Sequence, residues 1–179
     1  MSPGAGNMDR GAGGFTEGRS TPSRMRIVPL TLRQANDFVE LHHRHSARTS
    51  NDGGKFAIGL QLGDRLIGAA IVGRPVARML QEEGTAELLR CCVSEAAPRG
   101  ACSKLAARAK RVWQAMGGTR LVTYTLATES GASMRGAGFD REAEVKGRRW
   151  DTPSRRRGWR EIEGADKQRW STNMDWMPL

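Results

Sequence analysis

The residues of this chain best suited to chemistry stand in one run: Glu87-Leu88-Leu89-Arg90-Cys91-Cys92-Val93-Ser94-Glu95, then Pro98-Arg99-Gly100-Ala101-Cys102-Ser103-Lys104-Leu105. A strand that turns directly into a helix leaves the helix's first backbone N–H groups without partners, here those from Gly100 to Lys104. With the positive end of the helix dipole they make a cradle for a phosphate or pyrophosphate. Gly100, Ala101 and Ser103 are small enough for close approach. An ordinary glycine-containing helix start has the same local text, because a single glycine is a weak motif. A thiol in the position of Cys102 is acidified and could serve as a nucleophile, although such a cysteine is more often a small buried side chain.

Further groups invite other chemistry. Between Lys146 and Arg160 there are seven basic residues (Lys146, Arg148, Arg149, Arg155, Arg156, Arg157, Arg160) and one acid, Asp151, a local charge of +6 within a chain of net charge +10. Such a concentration favours a polyanionic partner such as nucleic acid, the alternative being a solvated basic surface. Trp150, Trp159, Trp170 and Trp176 interleave with arginines, which suits stacking on an unpaired base or packing of this segment onto the rest of the fold. His42, His43 and His45 cluster where a helix ends and titrate in the useful range, although the helix dipole alone accounts for histidine there. The three cysteines, Cys91, Cys92 and Cys102, are odd in number and lack metal-ligand spacing, so reduced thiols in a cytoplasm fit better than a zinc site.

These residues need elements to hold them. A chain of 179 residues with 38% hydrophobic content supports one modest core. Residues 1–24 hold six glycines and almost no aliphatic side chains, which predicts a flexible tail before a domain over 25–179. No apolar run approaches the roughly 18 residues of a membrane span, so a soluble, cytoplasmic protein is expected. Apolar spacing predicts a helix from Thr31 to His45, with Thr31 as its cap. Phe56 to Leu62 and Leu66 to Val72 read as a hairpin around Gly63-Asp64. A short helical or irregular piece, Val76 to Glu83, precedes a strand from Thr85 to Ser94. The stripe Leu105, Ala109, Val112, Trp113 and Met116 marks a helix stopped by Gly117-Gly118. Arg120 to Leu126 is the next strand, then a short helix from Ser130 to Ala137 and a Gly138-Phe139 turn into another strand. A right-handed crossover makes the strands after Thr85 and Arg120 parallel. The pattern assigns no structure to Asp151 to Leu179.

This order of elements, with Leu121-Val122-Thr123-Tyr124-Thr125 and the closing Gly138-Phe139, resembles the GNAT acyltransferase superfamily over roughly Leu30 to Val145. The resemblance implies a single α/β domain with a mixed central sheet flanked by helices. It implies acetyl-CoA or another acyl-CoA as donor, bound by Arg99, Gly100, Ala101, Cys102, Ser103 and Lys104, with the acyl carbonyl held by backbone N–H groups near Cys92, Val93 and Ser94. Two departures stand out. Ala97 occupies the first position of the family's Arg/Gln-x-x-Gly-x-Gly/Ala loop, which is one residue short here, and Met134 falls where a tyrosine often protonates the leaving thiolate.

A narrower resemblance, carried by the Pro-x-x-Ala-Cys-Ser turn, the Thr-Tyr-Thr strand and Glu129-Ser130-Gly131-Ala132-Ser133-Met134-Arg135-Gly136-Ala137-Gly138-Phe139, is to the phage-borne, Mom-like branch. It implies an anti-restriction enzyme that modifies the exocyclic amine of adenine in DNA, in a bacterial host cytoplasm, with DNA and an acyl donor as partners and room for a homodimer. Acyl transfer to an amine also needs a proton acceptor. Glu87, Glu129 and His43 are the candidates, and Tyr124 points toward the crevice from its strand; a surface carboxylate and a core aromatic are the rival readings. Acetylation of a small amine or a protein amine, and a degenerate domain that binds nucleic acid without catalysis, are the rival functions.

Overall fold

The computed structural model describes residues 24–42, 49, 53–147 and 164–174. The elements in order are β1 (Met25–Leu30), α1 (Leu32–His42), β2 (Gly54–Leu62), β3 (Arg65–Gly73), a 3-10 turn at Arg78–Leu80, β4 (Thr85–Val93), α2 (Ala101–Ala115), β5 (Arg120–Leu126), α3 (Ala132–Gly136), β6 (Asp140–Val145) and β7 (Lys167–Asn173). They build one seven-stranded sheet in the order β1-β2-β3-β4-β5-β7-β6. Only β4 and β5 run parallel; the other neighbours are antiparallel.

Local chemistry accounts for the joints. Thr31 starts α1 with a reciprocal cap: the Gln34 N–H donates to Thr31 Oγ1 at 3.2 Å, and the Thr31 N–H donates to Gln34 Oε1 at 2.9 Å. Gly63-Asp64 is the two-residue turn of the β2–β3 hairpin, with Gly63 at φ 58°. Gly117, at φ 87°, ends α2. The turn comes early enough that Met116 lies beyond the last helical residue and is 57% exposed, so it does not belong to the helix's apolar stripe. Leu105, Ala106, Ala109 and Trp113 form that stripe instead.

The alternation of each strand divides the core between the two faces of the sheet. One face packs Leu60, Ile67, Val72, Leu88, Leu121, Phe139 and Trp170 against α2 and α3. The other packs Ala57, Ala69, Ile71 and Cys92 against Ala35, Phe38 and Val39 of α1. The adjacent Cys91 and Cys92 thus serve opposite layers, as their neighbouring positions on a strand require.

Two strands have no counterpart in the sequence reading. β1 carries Pro29, which is tolerated because β1 is an edge strand. β7 inserts between β5 and β6, pairing with β5 from Arg120↔Asn173 to Leu126↔Lys167. Trp170 anchors β7: it is 1% exposed and its Nε1–H donates to Thr125 Oγ1 at 3.0 Å. The continuation of α1 to His45, the tail before Arg24, and Trp150, Trp159 and Trp176 lie outside the described residues. Among the described residues, no helix is long and apolar enough to cross a membrane.

Candidate active site

β4 and β5 hold together through three rungs only, Thr85↔Arg120, Ala86↔Leu121 and Glu87↔Val122. Yet β4 continues to Val93 and β5 to Leu126. The cause is visible on the other edge of β4. Ile71 faces Arg90 and Val72 faces Leu88, which leaves Leu89 as an extra residue, a bulge. A bulge bends and twists its strand, and here it sits where β4 departs from β5. Beyond the last rung the Thr123 hydroxyl donates to the Leu88 carbonyl at 3.0 Å. Past that bridge the two parallel strands diverge and leave a wedge at their carboxyl ends, the position at which open α/β sheets bind ligands.

The backbone donors facing this wedge can be counted. The Ser94 N–H donates to the Ile67 carbonyl of β3 at 2.9 Å. Hydrogen-bonded pairs alternate along an antiparallel ladder, so Cys92, opposite Ala69, also turns its N–H toward β3, while the Val93 N–H points the other way. Of the three groups expected to hold a carbonyl, the ladder therefore leaves Val93 and commits Cys92 and Ser94. The Cys92 side chain is buried on the α1 face, where burial, foremost, pushes its thiol up to about 12. Ser94 Oγ is buried without a hydrogen-bond partner among the described residues.

Above the wedge, Gly100 is the N-cap of α2 at φ 82°, a conformation that favours glycine, and among the described residues no side chain caps the helix. A Cβ placed on Gly100 would meet nothing within 4 Å among the described residues, which leave the approach to the helix end open. Ala101 spends its N–H on the Pro98 carbonyl at 3.1 Å, and Lys104 spends its own on Gly100 at 2.9 Å. That leaves the N–H groups of Gly100, Cys102 and Ser103 without partners among the described residues. Arg99 is exposed, and Lys104 is half-buried.

The titratable groups separate by environment. Glu87 is 7% exposed at the last rung before the wedge, and its Oε2 accepts the Val76 N–H at 2.9 Å. Burial raises its carboxyl pKa above the usual range, against the opposing pull of that N–H, Arg90 and Lys167. Tyr124 is half-buried on β5, with its phenol pKa raised by burial and then by the Glu87 charge, while the nearby guanidinium of Arg169, its register partner on β7, pulls the other way. Arg169 is itself held by Glu142 at 3.2 Å. Glu129 lies apart from them: it is exposed, and its Oε2 closes the turn after β5 by accepting the Leu126 N–H at 3.0 Å. His43 lies outside the described residues. Met134 is buried in the α2-side core, which explains an apolar residue there.

Cys91 and Cys102 meet where β4 faces the start of α2, with their Sγ atoms 3.9 Å apart. The Cys102 thiol is lowered to about 7, first by its hydrogen bond with Cys91 and further by Ser133, while the same bond and burial push Cys91 well up. In the basic segment, Lys146 is exposed and pairs with Asp166 at 2.8 Å. Arg148, Arg149, Arg155, Arg156, Arg157 and Arg160 lie outside the described residues. Among the described residues, no three His, Cys, Asp or Glu side chains converge to hold a metal.

Sequence reasoning missed the Leu89 bulge, the Thr123 bridge and Arg169. Leu88-Leu89 reads as ordinary strand, and Arg169 sits in a segment without a legible pattern. The open N-terminus of α2 was the part that turn chemistry could reveal.

No family model matches this chain, and no curated protein matches it. Solved structures do. The ribosomal-protein-S18-alanine N-acetyltransferase of Escherichia coli superposes with a TM-score of 0.59 at 15% identity, over 84% of this chain and 94% of that one. An acetyltransferase of Bacillus subtilis in complex with CoA gives 0.56 at 15% identity, over 85% and 99%. An acetyltransferase of the GNAT family from Streptococcus pneumoniae gives 0.58 at 13% identity, over 84% and 99%. The chain has the fold of the GNAT acetyltransferases.

Proposed function

We propose that the protein is an acyl-CoA-dependent N-acyltransferase whose acceptor is an amine of a small molecule or a protein. The observation that carries this reading is the wedge between β4 and β5, with the uncapped N-terminus of α2 above it. The pieces fit the donor: three unpartnered N–H groups at Gly100, Cys102 and Ser103 suit a pyrophosphate, the Val93 N–H suits an acyl carbonyl, and the space beside Gly100 is open. When bound, an acyl-CoA supplies an activated thioester.

The chain's own groups then divide the work. The Val93 N–H polarises the carbonyl from the β4 side of the wedge. Glu87, kept less acidic by burial, accepts a proton from the acceptor amine, directly or through a water molecule. Tyr124 is the only tyrosine, and its raised pKa keeps the hydroxyl protonated. It is therefore the group to give a proton to a leaving thiolate, the role for which Met134 has no proton. Arg169, opposite it on β7, keeps a positive charge beside the phenol. Glu129 is assigned to the turn rather than to chemistry.

Among the similar structures, the Escherichia coli enzyme is named for acetylating a protein amine, which supports this acceptor class. DNA is a second reading, favoured by the net charge of +10 and the arginine-rich segment. Calorimetric titration with CoA and acetyl-CoA, followed by thiol release against a panel of amines, peptides and duplex DNA, tests both. Absence of binding to any acyl-CoA would overturn the proposal, and turnover on DNA alone would move the acceptor to the second reading.

A further inference from the structure

Two thiols stand at the junction that the proposed donor site depends on. Cys91 is fixed by the β3–β4 ladder opposite Ala70, and Cys102 is the second residue of α2. Their sulfurs are 3.9 Å apart, so little movement of either side chain is needed to bond them. Both are partly buried and not sealed off from solvent, whereas Cys92 is buried in the opposite layer. The pair lies at the margin of the α2-side core, whose centre is filled by Leu105, Ala109 and Trp113.

We propose that Cys91 and Cys102 form a dithiol site for small disulfides, with Cys102 as attacking and Cys91 as resolving thiol, and that the bond between them stiffens the donor cradle against its ligand. The environment assigns the roles. Cys102 lies in the first turn of a helix and is in hydrogen-bond contact with Cys91, which favours its thiolate; Cys91 has its proton held by that same contact. The Cys102 thiolate attacks one sulfur of a disulfide RSSR, forming a mixed disulfide and expelling RS⁻, which takes up a proton. Cys91 then loses its proton to solvent, and its thiolate attacks the Cys102 sulfur, forming the Cys91–Cys102 bond and expelling the second RS⁻, protonated in turn. Two protein thiols are oxidised by two electrons, and one RSSR is reduced to two RSH.

The consequence for binding follows from position. Cys102 and Ser103 carry two of the three unpartnered N–H groups, and a covalent tie from Cys102 to β4 holds that first turn rigid, so its N–H groups can no longer adjust to an incoming pyrophosphate. This second half rests on the donor reading above; the dithiol reaction does not.

The test uses the full chain and oxidised glutathione as the disulfide. Intact mass should show loss of two hydrogen atoms, and peptide mapping should place the bond between Cys91 and Cys102, reversibly with a reducing dithiol. Cys92→Ala should close the same bond. Cys91→Ser should instead stop at a glutathione adduct on Cys102, a species that a pair without chemistry cannot accumulate selectively. Calorimetry on the oxidised wild type should show CoA affinity weakened by about tenfold or more. Free thiols that persist, or adducts spread over all three cysteines, overturn the dithiol site. A closed bond with unchanged CoA affinity overturns the gating. If neither redox form binds an acyl-CoA, the donor reading falls and takes the gating with it, while the mapped disulfide still stands on its own.

Discussion

The hydroxyl of Thr123 donates to the carbonyl of Leu88 across the point where the β4–β5 ladder stops. One hydrogen bond thus takes over where the next rung would have been, and it sets how far the two strands are open.

Thr123→Val keeps the side-chain shape and removes this donor. The Leu88 carbonyl is buried there, so the variant should lose about 1–3 kcal/mol of stability, readable in a denaturant titration. It should also bind CoA more weakly, because the wedge is then no longer held at one width. Unchanged stability and unchanged affinity together would show that the bridge is incidental.

At Gly100 the effects on fold and on ligand separate. A Cβ added there meets no described residue within 4 Å, so the positive φ is the main obstacle to Gly100→Val, at about 1–3 kcal/mol. The branched side chain nevertheless stands in front of the unpartnered N–H groups. Calorimetry should find CoA binding weakened by about tenfold or more in a protein that still melts cooperatively. Retained binding in that variant would sink the pyrophosphate assignment.

Glu87 links pH to both rate and stability. Its folded pKa is raised above the ordinary carboxylate value, so the folded state holds the proton more firmly than the unfolded chain. This contribution to stability is full below the unfolded pKa and is lost as pH rises through the folded one. Glu87→Gln should remove that slope, seen as a smaller fall in melting temperature between pH 4 and neutrality. As a proton acceptor Glu87 works ionised, so kcat should rise with pH through its raised pKa, and Glu87→Gln should lower kcat about a hundredfold or more. A variant with full kcat and an unaltered acid limb would remove Glu87 from the chemistry.

The acceptor question turns on salt. If Arg155, Arg156 and Arg157 bind DNA phosphates, log K against log salt should steepen by about 0.9 per phosphate neutralised, and the triple alanine variant should lose about two to three units of slope. If the acceptor is a small or protein amine, the same variant keeps its turnover at every salt concentration, and micromolar duplex DNA does not compete. Filter binding and turnover measured on one preparation distinguish the two.

The parts legible from the sequence were those with local causes. Gly100 before a helical stripe, Gly63-Asp64 between two apolar runs, and Thr31 three residues before Gln34 each fix their joint through neighbours in the chain. The illegible parts have distant causes. β7 reads Lys167-Gln168-Arg169-Trp170-Ser171-Thr172-Asn173, and only Trp170 and Thr172 are buried, so no apolar alternation announces a strand. Its partner Tyr124 lies far upstream, and the pairing that brings Arg169 to the phenol is decided there. Which N–H groups face the wedge was likewise a matter of register: the bond from Ser94 to Ile67 decides it, and no residue type signals it.

The insertion of β7 between β5 and β6 also orders events in time. As the chain leaves the ribosome, β5 and β6 emerge before the strand that joins them, and until Lys167–Asn173 arrives each keeps an edge open to stray pairing. The half of the sheet bearing Tyr124 must therefore close late and through contacts distant in sequence, so a ribosome stalled before Lys167 would hold an assembled α2 layer beside two unzipped strands.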